Sequence, residues 1–134
     1  PTPAQHLADI IDIMEGGVMG AIGKGSDAAK EFLEGDRFAK MMTNLQKGVQ
    51  GPFFYGDTPT YVDFFWTACC DWHCATFCDR LVAEFGGATP FAAFPKLDAV
   101  LSGIRSLESY KTCTMPICRD DFKAKDEKYT AWKK

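Results

Sequence analysis

The residues best suited to chemistry lie close together in the middle of the chain. Five potential metal ligands fall within ten positions: Cys69, Cys70, His73, Cys74 and Cys78. Thiolates and imidazole bind zinc and iron–sulfur clusters well. One helix cannot surround a metal tetrahedrally, however, so a site would also need ligands from elsewhere, such as His6, Cys113 or Cys118. The pattern therefore favours small buried thiols in a helix seam, and we expect no metal.

The same cysteines bear on the redox state of the chain. Neighbours along a helix point apart, and a pair four residues apart is poorly placed for a disulfide. Cys113 and Cys118 form the only plausible local pair among the six cysteines. The sequence thus favours reduced thiols and a reducing compartment, either cytoplasmic or organellar.

The cysteine-rich stretch lies on a predicted central helix that begins at Thr60. Thr60 and Asp63 have the spacing of a capping box, in which each side chain satisfies a free backbone N–H near the other. Between Tyr61 and Cys78 only Asp63 and Asp71 are charged, and apolar residues occur at every helical angle. This is typical of a helix enclosed by other helices, so we predict that three of its side chains are buried: Phe65, Trp66 and Cys69.

Apolar stripes at helical spacing predict further helices on both sides. The first follows Thr2 and Pro3, a cap residue and a first-turn proline, and its stripe comprises Leu7, Ile10, Ile11, Met14, Val18, Ala21 and Ile22. The second is interrupted near Gly35 and buries Phe38, Met41, Met42, Leu45 and Val49. The last begins at Pro95 and buries Leu97, Val100, Leu101, Ile104 and Leu107. Because no segment has a strand pattern, we predict an all-α helical bundle.

Three glycines interrupt the first predicted helix, namely Gly16, Gly17 and Gly20. Each costs about 1 kcal/mol of helix stability relative to alanine. They indicate close packing of a neighbour, room for a ligand, or a helix that frays or kinks there.

Two motifs resemble the C-terminal helical half of the glutathione transferases, with the mu and sigma-like classes most similar. Residues 56–64, GDTPTYVDF, correspond to the family's G-D-x-x-S/T-x-x-D-F stretch at the start of its buried sixth helix. Residues 94–97, FPKL, correspond to the F-P-x-L helix start that follows it. The resemblance spans roughly residues 5–112. It implies a helical domain over residues 1–118, and the remaining residues 119–134 form a charged tail.

The resemblance also implies site residues. In the similar classes, an aspartate near the start of the first helix reaches the amino group of glutathione bound in the other subunit of the dimer, and Asp9 matches it. An exposed aspartate in the first turns of a helix is also favoured by the helix dipole alone. The face carrying Ile13, Gly16 and Gly20 would border the pocket for an apolar co-substrate. Without the resemblance, this face is an ordinary helix surface.

The family's catalytic equipment has no counterpart in these residues. Family members activate the glutathione thiol with Tyr, Ser or Cys in an N-terminal thioredoxin-like domain of about 80 residues. This sequence contains neither βαβ elements nor the signal of a cis-proline loop, so we predict no catalytic residue. We also predict no cofactor, with glutathione as substrate only if such a domain exists.

The favoured function is therefore a non-catalytic interaction or structural subunit of a larger assembly, in contact with other subunits or in a homodimer. One alternative is the C-terminal half of an active transferase that conjugates glutathione to electrophiles. A weaker alternative is a carrier of an apolar ligand or pigment. An intact mass of about 15 kDa would favour the first reading, and about 23 to 25 kDa the second.

Composition excludes several other classes. The 134 residues suffice for one domain, and 46% hydrophobic with 25% charged residues is ordinary for a soluble globular protein. A net charge of −3 argues against a nucleic-acid partner, which needs a basic surface. No apolar run reaches about 18 residues without a charge, so we predict no membrane-spanning helix.

Overall fold

The computed structural model describes residues 2–73 and 93–112, and these residues form a helical assembly without a β-strand. The α-helices are α1 (Pro3–Ile11), α2 (Gly20–Gly23), α3 (Ser26–Glu34), α4 (Asp36–Lys47), α5 (Tyr61–His73), α6 (Pro95–Arg105) and α7 (Glu108–Lys111). A π-helical segment, Asp12–Met19, lies between α1 and α2. The all-α prediction is confirmed. The predicted tail and the Cys113–Cys118 pair lie outside the described residues.

Residues 3–23 form one continuous helix, because Asp12 and Gly20 at the two junctions have right-handed helical backbone angles. As predicted, Thr2 caps its start. The Thr2 hydroxyl accepts a hydrogen bond from the Gln5 N–H at 3.2 Å, and the Gln5 side chain accepts one from the Thr2 N–H at 2.8 Å. Two otherwise unpaired N–H groups are thereby satisfied.

The buried face of this helix differs in part from the predicted stripe. Ile10 and Met14 are fully buried as predicted, but Ile11 is 45% exposed, so its predicted burial was wrong. Ile11 follows Ile10 by about 100° around the helix, which carries its side chain off the buried face. That face is completed by residues that the stripe did not include: His6, Ile13 and Gly17.

The three glycines in the first helix have different surroundings. A Cβ atom at Gly17 would lie 2.5 Å from Cζ of Phe32, so any larger residue there would force the Phe32 ring of α3 to shift. A Cβ at Gly16 would have nothing within 4 Å, and one at Gly20 would meet only a carbonyl at 3.9 Å. Close packing therefore explains Gly17, whereas Gly16 and Gly20 border open space.

The central position of α5 explains its composition. It packs against α1, the π-helical segment and α6. Trp66 is fully buried as predicted, and its indole N–H donates to the Leu97 carbonyl at 3.3 Å, which joins α5 to α6. Phe65 and Cys69 are half-buried rather than buried. They lie four residues apart on one side of α5, and the described residues cover this side only in part.

Helices α4 and α6 supply most of the remaining core. The predicted stripes of both are buried except for Met41 and Leu107, which are half-buried. The break after the first helix is at Gly25, whose φ of 118° is unfavourable for other residues. The predicted interruption at Gly35 separates α3 from α4. Within the described ranges, no helix has the length and apolar character needed to cross a membrane.

The glycine surroundings predict opposite effects of alanine at neighbouring positions. Gly16→Ala should raise the free energy of unfolding by roughly 0.5–1 kcal/mol, because alanine favours the helix and meets open space. Gly17→Ala should lower it by roughly 1–3 kcal/mol, because its Cβ overlaps the Phe32 ring. Urea unfolding followed by circular dichroism measures both. Equal changes in the two variants would contradict the packing of Phe32 on Gly17.

Candidate functional site

The buried carboxylate of Asp63 lies in the first turn of α5 and organises the segment before it. Asp63 is 0% exposed. Its Oδ2 accepts hydrogen bonds from the Thr60 N–H at 2.7 Å and from the Thr60 hydroxyl at 3.2 Å. Its Oδ1 accepts one from the Phe54 N–H at 2.7 Å. The same side chain thus closes the start of α5 and holds the α4–α5 loop, residues 48–60.

The Thr60 side chain does not make the second bond of a reciprocal capping box. Its hydroxyl donates to the Asp63 carboxylate. The Asp63 N–H instead donates to the Thr60 carbonyl at 3.0 Å. The carboxylate is therefore the dominant capping group at this helix start.

The α4–α5 loop is a tight turn that places an aromatic ring in the core. The Gln50 N–H donates to the Phe54 carbonyl and the Phe53 N–H to the Gly56 carbonyl, each at 3.0 Å. Gly56 has a φ of 118°, and a Cβ at Gly51 would lie 2.9 Å from the Gly56 backbone. Both glycines are therefore needed for this turn. Phe54 is 0% exposed, so the turn buries its ring in the core.

His6 of α1 meets the same loop from the opposite side. It is 2% exposed, and its Nδ1 is hydrogen-bonded to the Tyr55 hydroxyl at 2.5 Å. Its Nε2 has no hydrogen-bond partner among the described residues and lies against Gly48, where any Cβ would collide with the ring. The Phe54 ring centroid is 5.3 Å from that of His6. Burial lowers the pKa of His6 and raises the pKa of Tyr55, so both groups are neutral at pH 7.

The sequence pattern predicted His6 only as a possible metal ligand, and its packing role was not predicted. The available signal was spacing, since His6 precedes Ile10 by four residues on the buried face of α1.

The two described cysteines, Cys69 and Cys70, lie in a protected setting. Cys69 is half-buried and Cys70 fully buried on α5. Burial, followed by the negative charge of Glu15, raises the pKa of Cys69 to about 11. A protonated thiol is a weak nucleophile and a weak metal ligand.

In residues 2–73 and 93–112, no three His, Cys, Asp or Glu side chains are grouped so that they could hold a metal ion. The side chain of His73 and the cysteines at 74, 78, 113 and 118 lie outside what is described.

The predicted ligand-facing residues separate into three environments. Asp9 is exposed on α1, and Ile13 is 1% exposed in the core. Gly16 and Gly20 line a surface groove of about 490 Å³, together with Phe32 and other residues of α2, α3 and α4. Its charged lining consists of Lys24, Glu31, Asp36 and Arg37. The groove has the size of a small-molecule site, but neither Asp9 nor Ile13 lines it.

Removing the Asp63 carboxylate should destabilise the fold more than an ordinary helix-cap mutation. Asp63→Ala leaves the buried N–H groups of Phe54 and Thr60 without an acceptor, so we expect a loss of about 2–4 kcal/mol in the free energy of unfolding. The matched control is Asp57→Ala, an exposed aspartate of the same loop, which should change it by less than about 0.5 kcal/mol. Urea unfolding measures both. Similar losses of unfolding free energy in the two variants would contradict the proposed role of Asp63 in holding the loop.

The raised pKa of Cys69 predicts low thiol reactivity. At pH 8 about 0.1% of Cys69 would be thiolate, so iodoacetamide should modify it about a hundredfold more slowly in the folded chain than in urea. Glu15→Gln should speed the reaction, because it removes a negative charge that disfavours the thiolate. Peptide mass spectrometry follows the modification over time. The same rate in the folded and unfolded chain would contradict a protected thiol.

Comparison with known proteins adds family evidence to this geometry. The chain matches the family model described as glutathione S-transferase, C-terminal domain, over residues 20–112. No curated protein and no solved structure matches it. The matched range includes the α4–α5 loop, Asp63 and the start of α6, and it confirms the family resemblance of those motifs. The chain belongs to the glutathione S-transferase family and contains that family's C-terminal domain.

Proposed function

We propose that the chain acts as a non-catalytic helical module, an interaction or structural subunit of a larger assembly. The observation that carries this proposal is that the buried polar side chains are hydrogen-bonded within the fold. Asp63 and His6 are 0% and 2% exposed, so a substrate thiol cannot reach them. Each is hydrogen-bonded to the α4–α5 loop, so each has a structural role. Cys69 has a raised pKa and is not an activated thiol.

The exposed charges on two neighbouring helices support an interaction role. Asp9 and Asp12 are exposed on the first helix, and Arg37 and Lys40 are exposed on α4. Helices α1 and α4 pack against each other. Charges of both signs on adjacent helices favour a charged protein partner, either another subunit or a second copy in a homodimer, because complementary potentials select partners and fix their register.

The second candidate is the C-terminal half of an active transferase that conjugates glutathione to electrophiles. It is favoured by the exposure of Asp9, which leaves its carboxylate accessible to the amino group of a glutathione bound in another subunit. Glutathione would be the substrate, and the chain would need no cofactor of its own. A weaker candidate, a carrier of an apolar ligand or pigment, is favoured by the open groove beside Gly16 and Gly20.

A conjugation assay tests the main proposal. The isolated 134-residue chain, mixed with glutathione and a chlorodinitrobenzene, should give no product above the buffer rate, because activating a thiol requires a positioned donor or positive charge, and the polar groups Asp63 and His6 are buried and bonded within the fold. Product formation by this chain would overturn the proposal. Binding of an apolar fluorophore that Gly20→Leu abolishes would favour the carrier instead.

The mass of the polypeptide in its source separates the first two candidates. About 15 kDa favours the structural subunit, and about 23 to 25 kDa favours the transferase, which needs roughly 80 further residues. In a longer, active polypeptide, Asp9→Asn should raise KM for glutathione. The matched control is Asp12→Asn, which changes an exposed aspartate on the same helix.

A further inference from the structure

Two segments that are distant in sequence meet at the His6 imidazole. The ring belongs to α1, and the α4–α5 loop contacts it twice: the Tyr55 hydroxyl is bonded to Nδ1, and Gly48, the first residue of the loop, lies against Nε2. The rings of Phe54 and Tyr55 lie 5.3 and 5.5 Å away, centroid to centroid. His6 is therefore the side chain through which α1 contacts the tip of this loop.

The hydrogen bonding of His6 suits the neutral ring and not the charged one. A neutral imidazole has one N–H donor and one acceptor nitrogen, whereas the imidazolium has two donors. Nδ1 is paired with Tyr55 in either form. Nε2 has no acceptor among the described residues and is closed off from water. Protonation would therefore place a charge and an unpaired N–H beside aromatic rings and a glycine backbone, which is unfavourable.

The neighbouring charges leave the effect of burial dominant. Burial is the main cause of the lowered His6 pKa. Asp9, three residues along α1, has the opposite influence. From the loop, Tyr55 faces the ring, and its own raised pKa keeps it neutral in acid. Another loop residue in contact with the ring is Gly48, which carries no side chain.

We propose that His6 makes the attachment of the α4–α5 loop to α1 pH-sensitive, so that protonation of its imidazole releases the loop while the rest of the bundle stays folded. The released state exposes His6 to water and therefore binds the proton more readily than the closed state. The attachment is at full strength above about pH 6.5, the ordinary pKa of histidine, and weakens as the pH falls from there towards the lower pKa of the closed state. Release uncovers the apolar rings of Phe54 and Tyr55 at one end of the bundle.

The sequence allows His6 to be observed alone, because it contains only two histidines, His6 and His73. In a His73→Gln chain, NMR would follow the single imidazole between about pH 8 and about pH 5. In the same samples, hydrogen exchange would follow the amides of Gln50 and Phe54, which are bonded within the loop and to Asp63. The Leu101 amide in α6 serves as the reference for the rest of the bundle.

The expected result has two parts. His6 titrates with a midpoint below 6.5. After correction for intrinsic exchange, the Gln50 and Phe54 amides exchange at least about tenfold faster as His6 is protonated, while Leu101 does not change. A His6→Gln chain, which keeps a hydrogen-bonding side chain but cannot be charged, should lose this acid response.

Four outcomes would overturn the proposal. His6 could titrate at or above 6.5. The loop amides could keep their protection while His6 becomes protonated. Leu101 could lose protection together with them, which would indicate global unfolding. The His6→Gln chain could show the same acid response as the chain with His6. The first three measurements use intact His6, so they hold even if the His6→Gln chain fails to fold.

Discussion

The hydrogen bonds of the buried Asp63 carboxylate are the constraint on which the described fold depends. An ionised carboxylate removed from water is strongly unfavourable unless donors surround it. Here the donors come from Thr60, three residues earlier, and from Phe54, nine residues earlier. The start of α5 and the shape of the preceding loop are therefore fixed together. Since Trp66 follows one turn later and bonds to α6, the same constraint sets the position of α5 against its neighbour.

This use of polar groups limits the chemistry available to the domain. A side chain that satisfies buried backbone N–H groups is shielded from substrate, and burial together with the charge of Glu15 raises the pKa of the Cys69 thiol, so it stays protonated. Two buried polar atoms, Nε2 of His6 and the Thr67 hydroxyl, have no partner among the described residues. At His6 the missing partner makes the site responsive to pH. For the Thr67 hydroxyl, the described structure offers no corresponding role.

The sequence predicted features that depend on neighbouring residues, such as helix starts, but not contacts between distant segments. The Thr60–Asp63 spacing predicted a helix start because capping acts within one turn, and Pro95 with its apolar stripe predicted α6 for the same reason. The bond from Phe54 to Asp63 and the contact of His6 with Tyr55 depend on how a turn folds back, which spacing does not encode. Residue type also did not distinguish Gly17, where an added Cβ would overlap Phe32, from Gly16, where it would meet nothing within 4 Å.

The range of the family match explains why the family supports the fold of this chain more directly than its function. The match begins at Gly20 and covers the α4–α5 loop, Asp63 and the start of α6, which hold the bundle together. Asp9, Ile13 and Gly16, which the resemblance connects with ligands, precede it. Related sequences can share such a scaffold while their sites differ, so family membership constrains this fold more tightly than its activity. Because Asp9 is exposed and Asp63 is fully buried, replacing Asp9 leaves the scaffold that the family shares undisturbed, whereas replacing Asp63 does not.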